Sequence, residues 1–259
     1  MFGFFEKKES SLADSAKTPP KEDFTDIDTI AKYFKNETGV TFDKQVSILN
    51  NKVVTFCRQR EIYSFKQLLD IVKCDSNTKQ ELIDYLTTNE TFFYREFKQV
   101  EELVALVKKQ HTKVDILCAP CATGEEPYSI AIALLEAGVT PNNFHITGID
   151  INADAINKAK QALYKERNVR NLSANVIDRY FTKKDTLFIL SESVKSLVSL
   201  RVINLFDTSF RHIGKFDFIF SRNMLIYFDK ETKLKAKEIL ESLRKNPNQE
   251  VFFGHADLF

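Results

Sequence analysis

Val114-Asp115-Ile116-Leu117-Cys118-Ala119-Pro120-Cys121-Ala122-Thr123-Gly124-Glu125-Glu126-Pro127 is the stretch on which the fold turns. Val114 to Cys118 is a short apolar run of the kind that forms a buried strand. A tight turn with one glycine follows. Glu126 to Ala137 then reads as a helix, with Pro127 in its first turn, where a missing N–H costs nothing. Strand, turn and helix in that order open a parallel α/β sheet.

The alternation continues outward from this unit. Phe144 to Ile149 is a second strand ending at Asp150, and Ile156, Ala159 and Leu163 mark one face of the next helix. Leu200 to Asn204 and Phe216 to Phe220 are further strands. Asp229 to Leu243 is a helix and Val251 to Phe253 a strand. The stretch 187–198 breaks the alternation and is expected to form a small β excursion. The Rossmann-like domain therefore spans 113–259, and the fold class is α/β.

Upstream the pattern is helical. Val46, Leu49, Val53 and Phe56 recur at helical spacing, as do Phe65, Leu68, Leu69 and Val72. Ser76-Asn77 precedes a further run and can cap it. These make a small all-helical domain over 24–86. Residues 87–112 are a polar break and a joining helix, with Phe97, Val100, Val104 and Val107 on one face. Residues 1–23 are polar, contain Pro19-Pro20, and read as a mobile leader.

The 259 residues carry a net charge of +1. That balance argues against nucleic acid, whose binders draw affinity from a basic excess. No signal peptide and no membrane-spanning run is visible, so the protein is expected to be cytoplasmic, with no direct membrane insertion. Cys57, Cys74, Cys118 and Cys121 are too few for a disulfide scaffold. Cys118 and Cys121 have the spacing of a redox or half-zinc motif, but no second ligand pair accompanies them, so free thiols and no metal are the reading.

The turn chemistry points to the ligand. A dinucleotide site would place several glycines here, so that pyrophosphate reaches backbone N–H groups. Two glutamates would repel pyrophosphate and suit a cation, such as an amino group or a sulfonium. Asp150 sits at an interval suited to ribose hydroxyls; alternatively it caps the next helix together with Asn152.

Longer motifs carry a resemblance. Thr87-Thr88-Asn89-Glu90-Thr91-Phe92-Phe93-Tyr94-Arg95-Glu96 resembles the TTNETxFFRE signature of the chemotaxis receptor glutamate methyltransferases, the CheR family. Cys121 to Ser129 is similar to the family's CSTGEEPYS turn. Asp150-Ile151 matches part of its TDID element, and Asn204-Leu205 its NLL element. Phe216 to Asp229 resembles its FDxIFCRNVMIYFD stretch, and Gly254-His255 falls where the family has GHSE. Together these cover roughly residues 45 to 257.

The resemblance implies an S-adenosylmethionine-dependent protein-glutamate O-methyltransferase, with S-adenosylhomocysteine as product. Its substrates would be glutamates on the cytoplasmic helices of methyl-accepting chemotaxis receptors. A helical domain would precede the Rossmann-like domain, with the cofactor between them. By motif position, Asn89, Thr91 and Arg95 would face the cofactor. Glu126, rather than Glu125, would hold its methionine end, and Asp150 its ribose. Asn204 and Leu205 would flank adenine, and Arg222 and Asn223 would close the pocket. Arg95 would orient the substrate carboxylate. Tyr227 would lie near the transferred methyl; by spacing alone it could equally be packing. The resemblance also implies that a basic face of Lys44, Lys52, Arg58, Arg60 and Lys66 meets the receptor, where spacing alone gives a solvated surface. Ala256-Asp257 departs from the family's Ser-Glu, and Gly148 and Asn152 depart around Asp150. The chain ends before the family's usual last strand, from truncation or from a sheet that ends differently. Oligomeric state is not readable. A methyltransferase with another acceptor, and a binding module that keeps the fold, are the rival readings.

Overall fold

The computed structural model describes residues 21–257. All but the last three residues of the expected leader lie outside the described residues, as do Leu258 and Phe259. Four helices come first: α1 (Ile27–Thr38), α2 (Val46–Arg58), α3 (Phe65–Cys74) and α4 (Ser76–Leu86). They close over one apolar cluster that includes Ile30, Phe34, Leu49, Val53, Phe56, Leu68 and Leu82. Val46, expected on the inner face of α2, is 37% exposed. The cap of α4 is Asp75, not Ser76-Asn77. Its carboxylate accepts from the Asn77 and Thr78 N–H groups at 3.2 and 3.0 Å, and a negative charge there also suits the helix dipole.

Helix α5 (Phe97–Val107) follows the polar break and buries Val100, Leu103 and Val107. These residues join the core of the sheet domain, not that of the helical domain. The sheet is built from β1 (Val114–Cys118), β2 (Phe144–Asp150), β6 (Val198–Val202), β7 (Phe218–Ser221) and β8 (Phe252–Phe253). Helices α6 (Glu125–Glu136), α7 (Ala153–Gln161) and α11 (Lys230–Glu241) connect and cover it. Strand order is β6-β2-β1-β7-β8, and every adjacent pair is parallel. Side chains of β1 alternate between the two faces, as strand geometry requires. Val114, Ile116 and Cys118 enter the core under α5 and α6, and Leu117 enters the core under α11. The order runs outward in both directions from β1. Such a switch point leaves a crevice at the carboxyl ends of the strands.

Between α7 and β6 the chain departs from the expected path. The elements there are β3 (Leu163–Lys165), α8 (Glu166–Val169), α9 (Ala174–Tyr180), β4 (Phe181–Lys184), β5 (Leu187–Leu190) and α10 (Glu192–Lys195). Strands β3, β5 and β4 form a separate antiparallel sheet. The β excursion thus begins at Leu163, well before residue 187, and Val198 already belongs to the parallel sheet. Strand β6 starts and stops earlier than expected, and the Ile203 N–H adds one more bond of the parallel ladder by donating to the Asp150 carbonyl at 3.0 Å. Leu163 is not on the face of α7. The helix stops at Gln161, Ala162 takes a left-handed conformation with φ 52°, and Leu163 emerges 46% exposed.

This difference is measurable. Ile156, wholly buried in the sheet-domain core, should destabilise by about 3 kcal/mol as Ile156→Ala. Leu163→Ala should change stability by less than about 0.5 kcal/mol. Urea unfolding of the two variants checks the assignment; equal losses would restore the helical placement of Leu163.

Candidate functional site

A cavity of about 350 Å³ opens at the carboxyl ends of β1, β2 and β7. Such a volume suits a small-molecule ligand. Asn89, Thr91, Arg95, Glu126, Asp150, Asn204, Leu205, Arg222, Asn223 and Tyr227 all line it. The structure brings every sequence-nominated residue to one place, from segments far apart in the chain.

The turn after β1 is shaped by its own backbone. Gly124 has φ 92°, and a Cβ there would lie 2.8 Å from the Tyr128 ring and 2.9 Å from the Ala159 Cβ. Glycine is the residue that fits both demands. The two glutamates that follow diverge. Glu125 turns inward and is fully buried, accepting from the Thr123 hydroxyl at 2.6 Å and the Asn168 amide at 2.7 Å. It does not line the cavity. Glu126 lines it, and its Oε2 accepts from Arg222 Nε at 2.5 Å. Its Oε1 is buried and accepts no hydrogen bond of ordinary geometry, although the buried Cys118 thiol lies close to the same carboxylate.

Arg222 is the hub of this wall. Its side chain is 2% exposed. Besides Glu126 it donates to the carbonyls of Arg95 and Glu96, at 3.0 and 3.2 Å, and to Gln99 Oε1 at 3.4 Å. It thereby binds the end of β7, the first turn of α6 and the segment 95–99 into one block. Arg95 itself points to the cavity and donates to the Glu90 carbonyl at 3.0 Å.

Asp150, at the end of β2, is nearly fully buried. Burial raises its carboxyl to about 6, against the pull of backbone donors from Asn152, Ala122 and Ile151. Oδ2 accepts from Ala122 at 2.8 Å and Oδ1 from Asn152 at 2.9 Å. Helix α7 is capped by Asn152, whose Oδ1 accepts from Ala155 at 2.7 Å. Asp150 therefore holds the turn after β1 and its own turn, and is not itself the cap. Asn204 donates to the Glu37 carbonyl at 2.6 Å and accepts from the Phe206 N–H at 3.0 Å. Its polar atoms fix the end of α1 against the loop, and Leu205 presents the apolar surface beside it.

Four residues around the site, Tyr94, Glu96, Ala122 and Asn223, have φ of 57°, 47°, 46° and 60°. Non-glycine residues in this region cost free energy and persist where the surroundings over-determine them. Three of the four donate their own N–H to a buried side chain. Tyr94 donates to Ser129 Oγ, Ala122 to Asp150 and Asn223 to Asp257. Asp257 also accepts from Leu225 at 2.8 Å and Gly254 at 3.1 Å. It thus fixes the loop that carries Asn223 and Tyr227. The Tyr227 phenol is pushed above its ordinary value by burial and stays protonated at neutral pH.

Sequence reasoning expected the ligand between the two domains but named no cavity residue from the helical one: Thr38, Val40, Phe42, Ile48 and Lys52 also line the cavity. It also missed the role of Asp257, which stood out only as a departure. Two residues of the expected five-residue basic face are ion-paired. Arg58 is paired with Glu22 and Arg60 with Glu81, and Arg60 lies 3.8 Å from the centre of the Phe56 ring. Among the described residues no group of His, Cys, Asp and Glu could hold a metal ion, and no helix is long and apolar enough to cross a membrane.

The profile of a family described as "CheR methyltransferase, SAM binding domain" matches residues 89–259. A chemotaxis protein methyltransferase of Campylobacter jejuni (strain 81-176) is similar at 34% identity, over 93% of this chain and 91% of its own length. Those of Salmonella typhimurium and Escherichia coli are similar at 30% and 28% identity, over 85% and 89% of this chain and 78% and 83% of theirs.

The buried pair yields a prediction. Arg222→Met strands Glu126 and three further acceptors, so it should destabilise by roughly 3–5 kcal/mol. Adding Glu126→Gln should recover part of that loss, since the stranded charge is gone. A denaturant double-mutant cycle measures it; strictly additive losses would mean that the pair is not coupled.

Proposed function

The chain belongs to the CheR methyltransferase family, and on that premise we propose that it esterifies glutamate side chains of bacterial chemoreceptors. It is an S-adenosylmethionine-dependent methyltransferase. The observation that carries the site assignment is Glu126, which keeps one buried oxygen without a hydrogen bond of ordinary geometry and lines a cavity that Asp150 also lines. That donor set fits the cofactor: an ammonium for Glu126 Oε1, ribose hydroxyls for Asp150, and a flat apolar ring beside Leu205. Asn89 and Thr91, from the interdomain segment, supply further polar groups on the opposite wall, and Asn223 closes the pocket from the β7 side.

When bound, the cofactor supplies a methyl group activated by attachment to a sulfonium. A substrate glutamate is already ionised at neutral pH, so this chain need not supply a general base. Its residues have two tasks, to hold the carboxylate in line with the methyl and to keep water out. Arg95 is suited to the first, because a guanidinium can meet a carboxylate through two N–H groups. Tyr227, protonated and beside Arg95, contributes an O–H and a ring edge. Weak capture of the carboxylate serves the reaction better than tight capture, since tight binding would stabilise the ground state. Lys44, Lys52 and Lys66 remain as the cationic part of the helical-domain face after Arg58 and Arg60 are paired. They suit the acidic methylation helices of receptors, and Lys52 stands at the cavity itself.

Calorimetric titration with S-adenosylhomocysteine tests the reading: the native protein should bind and Asp150→Ala should not. No binding by the folded native protein would remove the site assignment. Transfer of labelled methyl to receptor fragments then tests the acceptor.

The pH dependence follows from Asp150. An acid raised to about 6 in the folded protein carries its ionisation penalty above that pH and sheds it below. Ribose hydroxyls donate best to the ionised form. Affinity for S-adenosylhomocysteine should therefore rise as pH increases through about 6 and then level off. Asp150→Asn should bind weakly at every pH and lose this step. A wild-type affinity that is flat across the interval would dissociate Asp150 from the ligand.

A further inference from the structure

The turn after β2 is bound to the helical domain by a side chain given only a capping role so far. Asn152 is buried, with 1% exposure. Its N–H donates to Asp150 Oδ1, and its Oδ1 caps α7 through Ala155. Its Nδ2 donates twice more, to the Asp84 carbonyl at 3.1 Å and to Thr87 Oγ1 at 2.8 Å. Thr87 gives its own hydroxyl proton to the Ile83 carbonyl at 2.8 Å, so it meets Asn152 as an acceptor. With the amide reversed, its oxygen would face two acceptors and its NH₂ would face the Ala155 donor. Only one orientation serves.

Two neighbouring bonds cross the same seam. Asp84 Oδ1 accepts from the Ala153 N–H at 2.7 Å, and Gln80 Nε2 donates to the Ile151 carbonyl at 2.8 Å. On the cavity side of the seam lie Leu86 to Thr91 on one wall and Ile149 to Ile151 on the other. A helix cap requires only the side-chain oxygen, and Ser, Thr or Asp provides it as well. The amide nitrogen of Asn152 is surplus to capping, and both its bonds go to the end of α4 and the residue after it, Asp84 and Thr87, of which Thr87 lines the far wall.

We infer that Asn152 is a positioning residue for the cofactor. It holds the Asp150 carboxylate and the segment beginning at Thr87 at the separation one ligand can bridge. Asn152 does not itself line the cavity and acts through those two neighbours. The inference rests on the cofactor reading above and goes beyond it, because the resemblance assigns Asn152 nothing and marks it as a departure.

The test is titration of the full chain with S-adenosylhomocysteine as wild type, Asn152→Ser, Thr87→Val and the double variant. Serine keeps an oxygen for the cap and lacks the amide nitrogen. Valine removes the acceptor and is not part of the cap. Each single variant should bind roughly tenfold more weakly. The double should lose less than the sum of the two single losses, because the Asn152–Thr87 bond is removed from both ends, while each single also breaks one bond of its own, to the Asp84 or the Ile83 carbonyl. Thermal midpoints should stay within a few degrees of wild type. Amide hydrogen exchange without ligand should accelerate at residues 88–91 in every variant. Singles that bind like a binding wild type, or losses that add, would overturn the inference and leave Asn152 a helix cap. A wild type that fails to bind would instead bring down the cofactor reading, and the inference with it. Should Asn152→Ser not fold, Thr87→Val carries the same comparison alone.

Discussion

The ion pair between Arg222 and Glu126 is the constraint to which the rest of the site answers. Taking two charges out of water costs several kcal/mol each, and attraction alone seldom returns it. Here the cation is completed by two carbonyls and an amide oxygen from the segment 95–99. The carboxylate is completed on one oxygen only. The pair therefore does more than join β7 to α6. It fixes the interdomain segment against the sheet, and it leaves one buried carboxylate oxygen of a cavity-lining residue without a hydrogen bond. A ligand ammonium would supply the missing donor, so the desolvation already spent on Glu126 becomes part of recognition.

A second theme is the use of buried acceptors to hold unusual backbone. Tyr94, Ala122 and Asn223 belong to three different segments, and each carries φ between 46° and 60°. Each gives its N–H to a side chain that is itself buried: Ser129, Asp150 and Asp257. Asp150 thus holds the turn after β1 through one oxygen and its own turn through the other, at a position that also lines the cavity. Gly254 belongs to the same scheme, because a Cβ there would come within 2.9 Å of the Asn223 nitrogen and 3.0 Å of Asp257. The carboxylate can reach the loop only if that position carries no side chain.

The parallel sheet was legible because short strand-like runs alternate with helical patterns, and Val114, Ile116 and Leu117 in the first strand and Phe144, Ile146 and Ile149 in the second supply enough apolar residues to mark them. The cavity residues were legible through motif resemblance, and Glu126 and Asp150 also through charge and position in the turn. Strands β3 and β4 were not legible. They have three and four residues, and Leu163 continues the helical spacing of Ile156 and Ala159 by coincidence. What ends α7 is Ala162 in a left-handed conformation, which no residue type there announces. The share of the wall from α1, α2 and the loop between them was hidden for a different reason. Thr38, Val40 and Ile48 carry no chemistry of their own and acquire a role only when two domains meet.

That meeting also bears on the proposed chemistry, in which this chain need not supply a base. In-line displacement by a carboxylate gains most from geometry, and geometry here depends on the relation between two domains. The seam that sets it is polar: Gln80, Asp84, Asn152 and Thr87 on one side, Asn204 with the Glu37 carbonyl on the other. An apolar seam of equal area would tolerate sliding, because hydrophobic contact is non-directional. Hydrogen bonds between buried partners do not tolerate it, because each displaced donor or acceptor costs the desolvation of that group. The polar seam thus adds directional bonds to the packing contact between the helical domain and the sheet domain, beside the cavity that both line.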